Sequence, residues 1–407
     1  MTAIGEPHRR RLVRRSTLLL ALAQALVQVA FPVLLVVGSV EIATMTGHDA
    51  ATGYLNAVYF LSAAGGAALL GRAMDRVGRR PGLLASYGLL GLAGLGGAAS
   101  VATGSWLGLL ACALPFGAGS GGANLARVAV ADMYAPEERG RAVGVLLAAG
   151  TIGAVGSPFL VAALQRVELG AGNAVLPWGL VLGGALGASV CVLAVRPDPR
   201  DLAVLGQEDA APARPRVELL RVPAVRVAIL AAAVAQMAMI ALMGATPVAL
   251  HHRDVSGAAI SSVIGVHIAG MFALSPLVGA LLDRFGRRAG LAAGGICSLV
   301  GALLASTQAG ALVVGAGLFA VGLGWCATFL AATAVISDAT TPAERAGALG
   351  VNDLIVSLSS AGAAVAGGLV FEHAGYRMLG LATAALVVVI LRSAGRVRAV
   401  RVQASEG

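Results

Sequence analysis

Three ionisable side chains interrupt stretches that are otherwise apolar: Arg127, His267 and Asp353. A charge inside a long apolar run is costly, and where one is kept it marks function by default. An imidazole changes charge near neutral pH, a carboxylate can take up and release a proton, and a guanidinium stays charged. The three therefore suggest a proton relay. Asp353 and His267 would bind and release protons, while Arg127 modulates them or meets an anionic group on a substrate. Each residue also has a structural alternative. Arg127 stands about one helical turn from Asp132 and could snorkel to pair with it, His267 could be a satisfied core histidine, and Asp353, beside Asn352, could belong to a conformational latch at the cytoplasmic side.

Neutral hydrogen-bonding groups in the apolar runs form a second set: Gln24 and Gln28, one turn apart, with Asn56, Asn124, Gln236, Thr246 and Trp325. They could line a solute cavity or bond one helix to another. No nucleophile stands with a base, no His/Cys/Asp/Glu group has metal-ligand spacing, and no glycine loop would cradle a phosphate. The sequence thus argues against an enzyme, and no cofactor or metal is expected. Cys112, Cys191, Cys297 and Cys326 all lie in apolar runs and read as small buried hydrophobes.

The elements that must hold these residues follow from composition. Apolar residues make up 58% of the 407-residue chain and charged residues 12%, against roughly 25% charged in a soluble domain. The mean hydropathy is +0.86. This is the composition of a multi-pass membrane protein. A helix needs about 20 apolar residues to cross roughly 30 Å of hydrocarbon. By that ruler twelve spans are predicted, six on each side of a polar linker, dividing the chain into 1–195, 196–223 and 224–407. The N-terminal apolar stretch is too long for a signal peptide and reads as a retained first span.

All 29 basic residues are arginine and give a net charge of +9. They lie in connectors rather than on a polar helix face, so nucleic acid is not the expected partner; the lipid bilayer is. Alternate connectors carry nearly all of them. By the positive-inside rule, that side, with both termini and the linker, is expected to be cytoplasmic, in a cell inner or plasma membrane.

Two connector patterns are duplicated. Gly71-x-x-x-Asp75-Arg76-x-Gly78-Arg79-Arg80 recurs as Gly279-x-x-x-Asp283-Arg284-x-Gly286-Arg287-Arg288. Asp132, Pro136, Glu138 and Arg139 recur as Asp338, Pro342, Glu344 and Arg345. The glycines allow a tight turn without a Cβ penalty. Pro136 and Pro342 suit the first turn of a helix, and Thr341-Pro-Ala-Glu344 is a capping box. The fifth and eleventh spans should therefore present positive dipole ends to the cytoplasm. By the repeat offset Arg127 falls opposite Thr333, Asp353 opposite Leu147 and His267 opposite Tyr59, so these charges break the internal symmetry.

Twelve spans in two sixes, with the Gly-x-x-x-Asp-Arg-x-Gly-Arg-Arg pattern in both hairpins, resemble the major facilitator superfamily over essentially the whole chain. That resemblance implies an all-α membrane protein of twelve transmembrane helices, in two pseudo-symmetric six-helix bundles around a central cavity. It also implies that Asp75 faces the start of the eleventh span and Asp283 the start of the fifth. The expected result is a conformational latch of Gly71, Asp75, Arg76, Gly78, Arg79, Asp132 and Arg139 with Gly279, Asp283, Arg284, Gly286, Arg287, Asp338 and Arg345. In the fifth span, Gly150-x-x-Gly153-x-x-Gly156-Ser157-Pro158 resembles the Gly-Pro motif of the superfamily's proton-coupled drug exporters, with Ser157 where glycine is usual.

The expected function is secondary transport by alternating access: proton-coupled efflux of a small, largely apolar organic compound by an antiporter acting as a monomer. A proton-coupled importer or a uniporter of a small metabolite is the nearest alternative, and a transport-dead membrane sensor is one from another class.

Overall fold

The computed structural model describes residues 6–166, 174–202 and 216–396. Among them there is no strand; apolar runs this long leave the backbone no partner in lipid except its own helix. The spans are α1 Pro7–Thr46, α2 Ala50–Val77, α3 Arg79–Thr103, α4 Trp106–Asp132 and α5 Pro136–Gln165, then α6 Leu176–Leu193, α7 Pro223–His251, α8 Gly257–Phe285, α9 Arg287–Thr307 and α10 Ala311–Asp338. The last helical stretch, Pro342–Arg396, leaves helical geometry at Gly375 (φ 78°, ψ 170°). It is therefore two spans, α11 (342–374) and α12 (376–396), which completes the predicted twelve.

Several spans are not regular throughout. In α1 the ladder is interrupted at 28–29 and continues through Pro32 into a π-helical segment, Val33–Gly38. In α4 the break falls at 124–125, and in α8 at 273–274. Pro32 removes one backbone donor from the first of these ladders. Close to it, the hydroxyl of Ser157 on α5 donates to the Val29 carbonyl at 2.6 Å. Serine at this point of the glycine-rich motif supplies a hydrogen bond that glycine could not.

The contacts divide the chain into two compact units, Met1–Gln207 with Pro247–Gly265, and Glu208–Thr246 with Val266–Gly407. In the first, α3 lies against α6 because glycine lets them approach: a Cβ on Gly94 would come 2.8 Å from the Leu182 nitrogen. One on Gly97 would strike the buried Trp178 ring. Helices α2 and α4 cross on Gly66, Gly117 and Gly121, each facing backbone of the other helix. The residues Pro247–Gly265 join this unit through polar contacts at the ends of its helices. His252 Nε2 stands 3.3 Å from Asp49 Oδ1, and the Ser261 hydroxyl donates to Gln165 Oε1 at 2.9 Å.

The second unit repeats the plan. Helix α9 packs on α12, where a Cβ on Gly295 would come 2.6 Å from Leu391 and one on Gly380 2.6 Å from Ser306. Helices α8 and α10 cross on Gly270 and Gly322. Large apolar side chains such as Leu69, Leu107, Ile152, Val190 and Leu312 are exposed around the helices, which is the surface a bilayer covers and water would penalise.

Candidate functional site

Each duplicated hairpin reduces to a single non-helical residue. Gly78 (φ 106°, ψ 161°) separates α2 from α3, and Gly286 (φ 85°, ψ 169°) separates α8 from α9. Both dihedrals lie in territory open mainly to glycine. Gly71 and Gly279 take no part in turning; each lies within a helix, Gly71 with the Leu125 side chain packed over it.

Around the turns the duplicated charges form two like clusters. Arg79 donates through Nη1 to Asp75 at 2.7 Å, one turn back on α2. Through Nε and Nη2 it donates to Asp132 Oδ2, at 3.0 and 2.8 Å, at the end of α4. Arg287 repeats this with Asp338 at 2.9 Å and, more loosely, with Asp283 at 3.9 Å. The first arginine is the more enclosed, with 16% of its side chain exposed against 34%. Asp75 and Asp283 remain largely outside, at 68% and 82%.

Arg139 and Arg345 bind differently from the expected charge network. Arg139 Nε donates to the Tyr134 carbonyl at 3.0 Å and Arg345 Nη2 to the Ser337 carbonyl at 3.2 Å. Arg345 thus serves one of the final carbonyls of α10, and Arg139 a carbonyl two residues past the end of α4, where a cation also meets the negative end of the helix dipole. At the start of α11, the Thr341 N–H donates to Glu344 Oε2 at 3.1 Å, half of the predicted capping box. Arg76 is exposed, and Arg284 lies 5.3 Å over the Phe285 ring.

The neutral intramembrane candidates pair up, one pair in each unit. Gln24 Nε2 on α1 donates to Asn124 Oδ1 on α4 at 3.4 Å. Trp325 Nε1 on α10 donates to Gln236 Oε1 on α7 at 2.6 Å. The first pair lies beside the two backbone breaks, with Asn124 in one and Gln28 in the other. Gln24 is buried and its Oε1 has no partner. Gln28 sits with it over Gly150 of α5, where a Cβ would come 3.1 Å from Gln24 and 3.4 Å from Gln28. Gln28 and Gln236 are 208 positions apart, the same spacing as Asp75 and Asp283. Around Trp325, Phe329 stacks at 5.1 Å and Phe272 meets it edge-on at 5.9 Å.

The remaining candidates are dispersed. Asn56 is buried and bonds its own helix at the Thr52 carbonyl. Thr246 shares a 2.7 Å hydrogen bond with Tyr376 of α12. His267 is fully buried, and its Nδ1 lies 2.6 Å from the Leu318 carbonyl of α10. A carbonyl only accepts, so Nδ1 carries the hydrogen; Nε2 is then a buried nitrogen without a hydrogen-bond partner. Asp353 is half-buried, with Asn352 Nδ2 3.4 Å from its Oδ1, and Arg127 is exposed on α4.

Two matching clusters at one-residue turns on a twelve-span chain narrow the family, and the sequence profile of the Major Facilitator Superfamily matches residues 16–258 and 228–401. The chain belongs to the Major Facilitator Superfamily.

Membership makes it a multi-pass membrane transporter rather than an enzyme. It is 29% identical over 409 residues to the uncharacterized MFS-type transporter YdeG of Bacillus subtilis (strain 168), covering 97% of this chain and 95% of that one. To the riboflavin transporter RfnT of Brucella anthropi it is 27% identical, over 93% and 94% of the two chains. Among solved structures, a D-xylose-proton symporter superposes with a TM-score of 0.76 at 17% identity, covering 94% of this chain and 96% of the other. At that identity the likeness is one of fold.

One residue that sequence reasoning passed over is Asp198, in the linker. Its carboxylate accepts backbone N–H groups from the turn between α2 and α3. The signal available was the proline on either side, Pro197 and Pro199, which marks a shaped segment within the polar linker.

Proposed function

We propose that this superfamily member exports a small, largely apolar organic compound in exchange for protons, by alternating access of its two halves. The observation that carries the solute site is the Gln24–Asn124 pair, with Asn124 in the interruption of α4 and Gln24 one turn before that of α1. Irregular backbone at membrane depth is tolerated where it is buried in protein or lines a water-filled path, and transporters place binding groups there. Within the second unit, Gln236 and Trp325 likewise offer a neutral hydrogen-bonding group and aromatic surface, and groups of this kind suit a solute of low charge. The relative RfnT, named as a riboflavin transporter, also carries an organic molecule.

Protons are assigned to Asp353 and to the bare Nε2 of His267, with Arg127 modulating them. Asp75 and Asp283, the outward-facing carboxylates of their clusters, act as the latch: in one stage of the cycle they engage the N-termini of α11 and α5. Arg76, Arg79, Asp132, Arg139, Arg284, Arg287, Asp338 and Arg345 hold the ends of the helices that carry it. The working unit is a monomer in the cell's inner or plasma membrane, with both termini and the linker in the cytoplasm.

The test uses the whole protein in vesicles under an imposed pH gradient, offered riboflavin and ethidium as flat organic probes. Solute movement that requires the gradient and dissipates it supports exchange. Movement down the solute's own gradient with no proton flux makes the protein a uniporter, and uptake in the same direction as the protons makes it an importer.

A further inference from the structure

Residues 196–202 have no role in the transport cycle proposed above, yet side-chain and backbone hydrogen bonds fasten them to the first unit. Asp198 Oδ1 accepts the N–H of Arg79 at 3.1 Å and of Arg200 at 2.9 Å, and Oδ2 accepts the N–H of Arg80 at 2.9 Å. The first N–H groups of α3 lack partners within the helix, and the residue before them, Gly78, has no side chain to cap them. A carboxylate from 119 residues downstream of Arg79 supplies the cap, and its charge suits the positive helix end. The fit is close: a Cβ on Gly78 would come 2.8 Å from Asp198 Oδ2.

The surrounding bonds hold the segment in place. Arg200 Nη1 donates to the Arg76 carbonyl at 3.2 Å. Arg9 donates to the carbonyls of Leu202 at 2.8 Å and Met133 at 3.3 Å, and Arg80 donates to Val192 and Leu193 at 3.2 and 3.0 Å. Among the described residues no carboxylate caps the equivalent start of α9, and a Cβ on Gly286 would meet open space. Of two turns with the same motif, one is anchored by a carboxylate among the described residues.

We propose that Asp198 is a positioning residue for the transport cycle. By capping α3 it fixes the backbone of Arg79, and through that backbone it sets the guanidinium between Asp75 and Asp132. The first-half cytoplasmic cluster is then preset and carries the start of the linker with it, while its second-half counterpart is free to adjust. The looser 3.9 Å contact of Arg287 with Asp283 is what an unanchored turn would give. The link to transport rests on the latch proposed above; the link from Asp198 to Arg79 does not.

The experiment is hydrogen–deuterium exchange on the full chain in detergent, comparing wild type with Asp198→Ala and with the near-isosteric Asp198→Asn, which guards against a misfolded alanine variant. Faster exchange is expected in the peptide spanning Gly78 to Leu84. It is also expected at the end of α4 around Asp132, which Asp198 does not touch but Arg79 does. The α8–α9 turn should be unchanged. In vesicles carrying ethidium, the maximal rate should fall several-fold while KM stays within about twofold, because Asp198 is assigned no contact with solute. Unchanged exchange at the α2–α3 turn would overturn the anchor. A change confined to that turn, with Asp132 unaffected or the maximal rate at the wild-type level, would reduce Asp198 to a local cap and overturn its positioning role. Exchange needs no solute, so a failure of the transport reading leaves the anchor test standing.

Discussion

Arg79 spans Asp75 and Asp132 with bonds of 2.7 and 2.8 Å, whereas Arg287, its repeat, holds Asp338 at 2.9 Å but reaches Asp283 only at 3.9 Å. The same residues at the same spacing thus make a tight cluster in one half and a looser one in the other. Exposed ion pairs contribute about 0.2–1 kcal/mol each, and more as water is excluded. Arg79→Gln should therefore destabilise the protein in detergent more than Arg287→Gln does, by on the order of 1 kcal/mol. Equal shifts in thermal unfolding would count against the asymmetry.

The turns predict a second contrast. Holding alanine at these positive-φ, extended-ψ dihedrals costs on the order of 1–3 kcal/mol, so Gly78→Ala and Gly286→Ala should both destabilise. Gly78→Ala should cost more, because the new methyl meets the Asp198 carboxylate at 2.8 Å while at Gly286 it meets nothing within 4 Å. Thermal unfolding of the two variants and of Gly78→Ala/Asp198→Ala measures this, and the double variant should recover part of the excess loss at Gly78.

At the Gln236–Trp325 pair, Gln236→Leu removes the acceptor of a 2.6 Å bond and leaves an indole N–H unpaired. An orphaned donor costs about 1–3 kcal/mol when fully buried, and the half-buried indole should cost toward the low end of that range. The variant should unfold at lower temperature and shift the tryptophan emission, and the shift should vanish when Trp325→Phe is added. A shift that persists would place its origin at Trp106 or Trp178.

His252 Nε2 stands 3.3 Å from Asp49 Oδ1 and ties the connector between α7 and α8 to the residue just before α2. A nitroxide at Ser256 should therefore be more mobile in His252→Ala than in wild type. Unchanged mobility would count against the tie.

The spans were legible because an apolar run of membrane length admits one backbone solution, and even the twelfth span could be counted ahead of the Gly375 break. The duplicated charges were legible as clusters because repeated spacing preserves their position on the helices. Their partners were less so. Whether Arg139 meets a carboxylate or the Tyr134 carbonyl depends on where α4 ends, to within a residue or two, and sequence does not fix a helix end that finely. Asp198 acts across 119 positions through backbone groups, so the flanking Pro197 and Pro199 mark its segment but not its partner. His267 could be placed in the apolar interior, but its bond to Leu318 depends on how closely α8 and α10 approach at Gly322, a property of packing rather than pattern.

The central claim, proton-coupled exchange through the intramembrane carboxylate and imidazole, is tested most directly by recording proton and ethidium fluxes together in vesicles, for wild type, Asp353→Asn and His267→Ala across a range of pH. The account predicts that adding ethidium collapses an imposed pH gradient in the wild type. It further predicts that at least one variant still binds ethidium yet uncouples the two fluxes and flattens the pH dependence of its transport. Wild-type coupling and pH dependence in both variants would contradict it.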